Sequence, residues 1–365
     1  MTPPKPSRSR SGSRSRTTGA RALALAPIVL TLLPMWRTGK GWVRIWDFPR
    51  VQIVALGLAA HASMLRLRGK RPVDHAVTAG LTAAMLYQAS KILPFTPFYP
   101  RQVPSATDRS GKRSIRLLMV NVLQTNRRSD LVLRAIAEAS ADVICLVETD
   151  SWWARELAPL ERQYRWSQRC ALDNMYGMML YSRLPIVECE TRFRVQPDIP
   201  SMRAVVKLRS GEEIVVYAVH PRPPLPNSPS YGRDAELVIT GGEVSRDSRP
   251  AVVMGDLNDV AWSYTTQLFQ RIAKMLDPRV GRGLFSTFHS EHPLGRYPLD
   301  HVFHTRHFSL AEIQRLRYTG SDHFPIMVEL ILTPARLPGM PRPTLSASDR
   351  ENIDEILDDA RHDAG

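Results

Sequence analysis

From residue 114 to residue 333, short β-branched runs alternate with helical patterns, and several of the runs are apolar at every position. A strand that is apolar on both faces must be covered on both. The runs at 115–122 (IRLLMVNV), 143–149 (VICLVET), 178–183, 203–209, 213–220 (EIVVYAVH), 251–257 (AVVMGDL), 299–305 (LDHVFHT) and 325–332 read as strands. Helices are expected over 130–140, 151–158, 231–246 and 263–276. Roughly ten strands with helices between them predict two packed sheets with helices outside, an α/β architecture. The 365-residue chain has room for this and a second unit, and its three cysteines, with no C-x-x-C, exclude both a disulfide-stapled mini-fold and a zinc knuckle.

A net charge of +14 points first to nucleic acid, until it is located along the chain. Residues 1–113 hold nineteen Lys/Arg against three Asp/Glu, while residues 114–365 hold thirty against thirty-two. The basicity therefore belongs to the N-terminal third, and the α/β region lacks the overall charge of an electrostatic DNA clamp.

That third begins with a Ser/Arg-rich stretch, residues 1–21, which has too little apolar surface to fold and is expected to be a solvated, disordered tail. Three apolar segments follow, at 22–36, 51–65 and 73–93. The first two carry no charge and are fifteen residues each, short of the ~20 that cross a bilayer. Flanking Trp36, Trp42 and Trp46, with snorkelling Lys and Arg, extend them to the interface. Residues 22–93 are thus expected to form an anchor of about three transmembrane helices in the cell (inner) membrane. The tail and the 66–72 loop carry ten Lys/Arg, against six in the alternate flanks, which places the N-terminus in the cytoplasm. With three crossings, everything after residue 94 is extracytoplasmic. Residues 94–113 read as a Pro- and Ser-containing linker, and 334–365 as a Pro-rich, then acidic tail with a short terminal helix.

Several strands end in residues that an ordinary core would not choose. Asn121 ends MVNV, Glu148 ends CLVE, His220 ends VYAVH, Asp256 and Asn258 close GDLND, Asp300 sits in PLDHVF, and Asp322 and His323 stand in SDHFP. Singly, each is a turn former, a cap or a solvated strand end. Together they are carboxylates, carboxamides and imidazoles without a thiolate. That donor set suits Mg²⁺ or Mn²⁺ and, through it, phosphate oxygens. The residues point to metal-assisted cleavage of a phosphate ester.

The ordered pieces MVNVLQTN, LVET, GMMLYSRLPI, YAVH, GDLND, PLDHVF and SDHFP resemble the endonuclease/exonuclease/phosphatase superfamily across residues 114–333. The resemblance implies a four-layer α/β/β/α sandwich of the DNase I type, here preceded by the N-terminal transmembrane anchor, and it is similar to a membrane-anchored bacterial branch of that group. It also implies roles. Glu148 binds the metal, Asn121 helps position metal or phosphate, and Asp322 supports the metal or the neighbouring histidine. Asp256 aligns or deprotonates the attacking water, with Asn258 holding nucleophile and phosphate. His323 faces the phosphate, oriented by Asp300, and His220 stabilises the pentavalent transition state. Either Asp256 or the His323–Asp300 pair serves as base. Nuclease members often carry an acid two residues after the first Asn; here that position is Leu123, which weakens a second metal and the nuclease reading.

The implied substrate is a phosphate ester: nucleic acid or nucleotide first, a phospholipid headgroup as the alternative, and an inactive binding module as a third class that the intact residue set opposes. The membrane is the expected partner through the N-terminal helices, and nothing points to a protein partner. His289, His292, His301, His304 and His307 show no metal spacing and read as surface or loop residues. Trp152 and Trp153 read as packing, and the loop 221–233 as the segment that selects substrate.

Overall fold

The computed structural model describes residues 10–67, 71–107, 111–333 and 339–364, and it divides into a helical unit and an α/β unit. The start of the basic tail, the basic turn at 68–70, the linker positions 108–110 and the beginning of the Pro-rich stretch lie outside the described residues.

The helical unit packs α1 (Arg10–Leu32), α3 (Arg50–Leu67) and α4 (Pro72–Ile92) together, with the one-turn α2 (Gly41–Arg44) in the connection. Small residues, Ala20, Ala24 and Ala60, let the helices approach, and Met64 and Leu81 fill the seam. Helix α1 starts inside the segment expected to be unstructured. Arg is a good helix former, and Arg21 is tied to Asp74 of α4 at 2.7 Å, so the apolar helix propagates backwards. All three apolar segments are helical, but they differ as membrane spans. Among the described residues, only Thr18–Met35 is by itself long and apolar enough to cross. Gly41–Asp47 with Arg50–Arg66 passes as a pair, bent by 71°. Helix α4 has the length without the apolarity, so three spans are not supported. A buried polar relay explains part of this: Arg50 reaches Asp47 and donates to Gln88, which donates to Thr31.

The α/β unit contains eleven strands among the described residues. The first sheet runs β10 (Phe308–Arg315), β11 (Ile326–Leu332), β1 (Ser114–Asn121), β2 (Val143–Val147), β4 (Met178–Ser182), β3 (Trp166–Cys170). The second runs β5 (Ile186–Arg192), β6 (Ser201–Lys207), β7 (Glu213–Val219), β8 (Ala251–Asp256), β9 (Asp300–His304). The expected eight strands are all present; β3, β5 and β10 are additional. Each lies at a sheet edge, where one flank faces away from the sheet and residues such as those of WSQRC and IVECETR are tolerated.

Between the sheets, Leu117, Met119, Cys145, Val216, Met254 and their neighbours form one core. Helices α5 (Ser129–Ala139) and α6 (Ser151–Glu156) cover the first sheet, where Trp153 is buried and Trp152 packs as expected. Helices α7 (Tyr231–Arg246) and α8 (Tyr264–Ala273) cover the second. This is the four-layer α/β/β/α sandwich that the sequence implied.

Much of the expected linker and of the expected C-terminal tail is packed. Residues 94–106 lie on the α/β unit: Phe95 meets Trp262 edge to face, Val103 is buried in the inter-sheet core, and Ser105 bridges to Leu310, covering the β10 edge. The acidic segment forms α9 (Ala347–Ala364), whose Ile353, Ile356 and Leu357 pack on Val238, Leu268 and Ile272, while Asp349 binds Arg271 at 2.8 Å.

Candidate active site

Parallel and antiparallel pairing together decide where the strand-end residues meet. β1 runs parallel to β2 and β7 parallel to β8, so Asn121, Glu148, His220 and Asp256 all sit at carboxyl ends. β9 and β11 run antiparallel to their neighbours β8 and β1, so their amino ends, with Asp300 and with Asp322–His323 just ahead, come to the same edge. Asp256 and Asp300 are direct cross-strand partners.

Local backbone sharpens the convergence. Gly255 is required because a side chain there would stand 1.8 Å from the Val219 carbonyl oxygen; this close approach of β8 to β7 draws Asp256 toward His220. Gly177 does the same beside Glu148, where a Cβ would meet the Thr149 carbonyl oxygen. Leu123, Glu148 and Asn258 adopt left-handed φ angles of 57°, 61° and 50°, unfavourable for side-chain-bearing residues and concentrated at this edge.

The side chains form one connected set. Asn121 Nδ2 donates to Glu148 Oε1 at 2.7 Å and to Asp256 Oδ2 at 3.1 Å, holding together two carboxylates that would repel. Its Oδ1 accepts from the Leu123 amide, so the residue expected to help position a metal presents its nitrogen to the carboxylates and its oxygen to the backbone. The Gln124 amide donates to Glu148 Oε2. His323 Nδ1 lies 2.7 Å from Asp300 Oδ2, and its Nε2 lies 3.5 Å from Asp256 Oδ2; His220 Nε2 is 3.9 Å from that same oxygen. Asn258 donates its amide N–H to Asp256 Oδ1 and its side-chain Nδ2 to the Pro221 carbonyl, tying this loop to the start of 221–233. Asp322 is the outlier: its carboxylate accepts from Ser321 and acts on Glu148 and His323 only through space.

Burial sets the charge states. It pushes the Glu148 carboxyl up to about 7 despite the Asn121 hydrogen bond and His323, and it raises Asp256. Burial depresses His220 to about 4, leaving it neutral. It would depress His323 too, but Asp300 and Asp256 outweigh it and lift this imidazole to about 10. The cluster thus holds a cationic His323 between two carboxylates and a neutral His220 beside one of them.

Asp256, Asp300 and His323 bring potential ligand atoms within 4.8 Å of one another. Without a cation, His323 shares protons with the two carboxylates through Nδ1 to Asp300 at 2.7 Å and Nε2 to Asp256 at 3.5 Å. The Glu148–Asp256 side offers only carboxylate oxygens, a donor chemistry that fits Mg²⁺ or Mn²⁺. Asp300 Oδ1, buried without a hydrogen-bond partner among the described residues, also marks acceptor capacity that the protein leaves open.

Some polar residues under this edge had no visible signal in the sequence. His301 and His304, expected at the surface, are buried in β9. Arg233 and Arg279 are buried as well, and Tyr176 stacks against His220 with ring centroids 5.5 Å apart. An alternating apolar pattern places His301 and His304 no better than a loop does, because their burial depends on what crosses above them.

The Endonuclease/Exonuclease/phosphatase family model matches residues 118–323. No curated protein sequence matches the chain. Among solved structures, an endonuclease/exonuclease/phosphatase from Beutenbergia cavernae is similar over 60% of this chain and 72% of that one, at 17% identity and a TM-score of 0.50. A humanized D. rerio TDP2 matches over 60% and 99% of the two chains, at 15% identity and a TM-score of 0.49. A Bacteroides vulgatus endonuclease/exonuclease/phosphatase matches over 60% and 99%, at 18% identity and 0.49. At these identities the likeness is one of fold.

Proposed function

Since the chain belongs to the endonuclease/exonuclease/phosphatase family, whose members are hydrolases acting on phosphate esters, we propose that it is a divalent-metal-dependent phosphodiesterase. The observation that carries this reading is the hydrogen-bonded set Glu148–Asn121–Asp256 facing the His323–Asp300 pair.

In this reading Glu148, braced by Asn121, is the principal anchor for Mg²⁺ or Mn²⁺. The bound ion would supply Lewis-acid charge to phosphate oxygens. Asp256 accepts the proton of the attacking water, and Asn258 holds that loop in place. His323, cationic and buttressed by Asp300, neutralises charge on the phosphate and can return a proton to the leaving oxygen. Neutral His220 donates a hydrogen bond from Nε2. Asp322 tunes the field at Glu148 and His323. This assigns the base to Asp256, because an imidazole lifted to about 10 is protonated at neutral pH.

The substrate reading is a phosphodiester of nucleic acid or nucleotide. A lipid headgroup diester is the second reading, favoured by the apolar Thr18–Met35 helix, which we take as a tether. One crossing, like the expected three, leaves the α/β unit outside a cytoplasmic N-terminus; counting the bent pair as a second crossing reverses it. Alkaline phosphatase and fluorophore fusions after residue 333 separate these cases.

The test is the full chain in detergent with bis-p-nitrophenyl phosphate, plasmid DNA and sphingomyelin, each with Mg²⁺ and with EDTA. Turnover should appear with Mg²⁺ and vanish with EDTA. Full activity in EDTA would sink the mechanism, and lipid turnover without DNA cleavage would select the second substrate reading.

A further inference from the structure

Beneath the cleft, two buried arginines reach the backbone of residues whose side chains form it. Arg279, 1% exposed, follows α8; its Nε and Nη2 grip Asp277 at 2.8–3.1 Å, and its Nη1 donates to the Asp300 carbonyl oxygen at 3.4 Å. Arg233, 1% exposed on α7, is paired with Asp234 at 2.8 Å and Asp259 at 3.5 Å, and its Nη1 donates to the Asn258 carbonyl oxygen at 3.3 Å.

His301 links the two. Its Nδ1 faces Arg279 Nη2, and its Nε2 lies 2.9 Å from the Asp259 carbonyl oxygen. A guanidinium can only donate and a carbonyl can only accept, so the ring must be the neutral tautomer carrying its proton on Nε2. The result is a continuous brace from Asp277 through Arg279 and His301 to Asp259 and Arg233. It ties the start of β9 to the loop after β8.

Stability alone is a poor reason for such an arrangement. A buried arginine–carboxylate pair is seldom better than well-packed apolar residues of the same volume. The brace does meet a geometric need. Asp256 and Asp300 are cross-strand partners whose carboxylates must both reach His323, and Asn258 is held at a left-handed φ. A small slip of β9 against the 257–260 loop would open both contacts while leaving the sheets intact.

We infer that Arg279 and His301 are positioning residues for the hydrolysis, acting through the backbone of Asp300 and Asp259. The inference rests on the phosphodiesterase reading for its kinetic consequence but not for its geometric one. A misplacement of about 1 Å at reacting groups lowers turnover on the order of 10²-fold. His301→Phe keeps an aromatic ring and loses both hydrogen bonds. Its kcat on bis-p-nitrophenyl phosphate should fall ~10–100-fold at saturating Mg²⁺ with KM within about twofold. His301→Gln, which keeps a donor toward the Asp259 carbonyl, should recover part of the loss. Arg279→Lys cannot span Asp277, His301 and the Asp300 carbonyl at once and should resemble His301→Phe.

A second readout does not need turnover. The low-field proton of the His323–Asp300 hydrogen bond should be present in the wild-type full chain and move upfield in His301→Phe and Arg279→Lys. Wild-type protein that hydrolyses nothing, with that resonance still moving in the variants, would defeat the phosphodiesterase reading and leave the brace standing. Folded variants with an unmoved resonance would overturn the brace whatever the wild-type activity, as would an active wild type with kcat unchanged in His301→Phe.

Discussion

The two sheets bring different chemistry to their common edge. The first sheet supplies Asn121, Glu148 and Asp322, two acids and an amide; the second supplies His220, Asp256, Asn258 and Asp300. His323 belongs to the first sheet by chain position, just ahead of β11, yet its short contact is with Asp300 of the second. In the proposed reaction the first sheet holds charge for a cation and the second moves protons. Each half is incomplete without the other, because Asn121 and His323 both reach across to Asp256. A cleft built from two rigid sheets can therefore separate metal affinity from the chemical step, and substitutions on either side should fail differently.

The largest effect is expected at the crossing point. His323→Ala should lower kcat ~10²–10⁴-fold at saturating metal, the usual range for a lost acid–base group. Asp300→Asn should follow it, since a neutral amide no longer sustains the imidazolium. The double variant should be little worse than the worse single one if the pair acts as a unit. Single-turnover rates with melting curves on the same preparations check this. Lost thermal stability with wild-type kcat per folded molecule would return SDHFP to a simple turn before β11.

The next effect should appear on the first sheet. Glu148→Gln keeps the shape and removes the charge, so the Mg²⁺ concentration for half-maximal activity should rise roughly 10–100-fold while kcat at saturation changes less. Glu148 lies near 7 when no cation is bound, so protons and metal compete for it. Metal affinity of the wild type should strengthen as pH rises from 6 to 8, and this dependence should flatten in Glu148→Gln. If Glu148→Gln instead lost kcat with unchanged metal affinity, the division of labour between the sheets would be wrong.

The smallest effect tests a group that takes no part in the cleft's hydrogen bonds. Burial pushes the Glu236 carboxyl on α7 from 4.5 up to about 8, and its Oε1 has no hydrogen-bond partner among the described residues. The unfolded chain releases this proton first. The stability it contributes is therefore complete below about pH 4.5 and is lost as pH rises through about 8. Glu236→Gln should match the wild type near pH 5 and melt higher at pH 9, by roughly 2–4 °C for each kcal/mol recovered. Its kcat should not move.

Much of this was legible in the residues. β-Branched runs apolar on both faces required covered sheets, and a set of oxygen and imidazole side chains at strand ends required a meeting point. Three of the edge strands were not legible: β3, β5 and β10 carry polar residues, and no local pattern distinguishes them from loops. The packing of residues 94–106 and of α9 was also hidden, because proline and acidic composition describe solubility rather than contacts. Arg233, Arg279 and His301 gave no signal, since a buried arginine and a surface arginine look identical in one sequence.

Periodicity pointed to two covered sheets and strand-end chemistry to the residues that gather at one sheet edge, because both are local properties, while the ordered motifs carried the resemblance to the family whose model matches. Only the tertiary structure decided which way those side chains turn. Asn121 offers its nitrogen rather than its oxygen, and Asp322 stands aside while Asp256 is shared by two imidazoles. It also decided that α4 is packed in a bundle with α1 and α3. The physical reason is the same throughout. A residue's charge state and partner depend on what other elements bring beside it, and that neighbour is set by packing at long range.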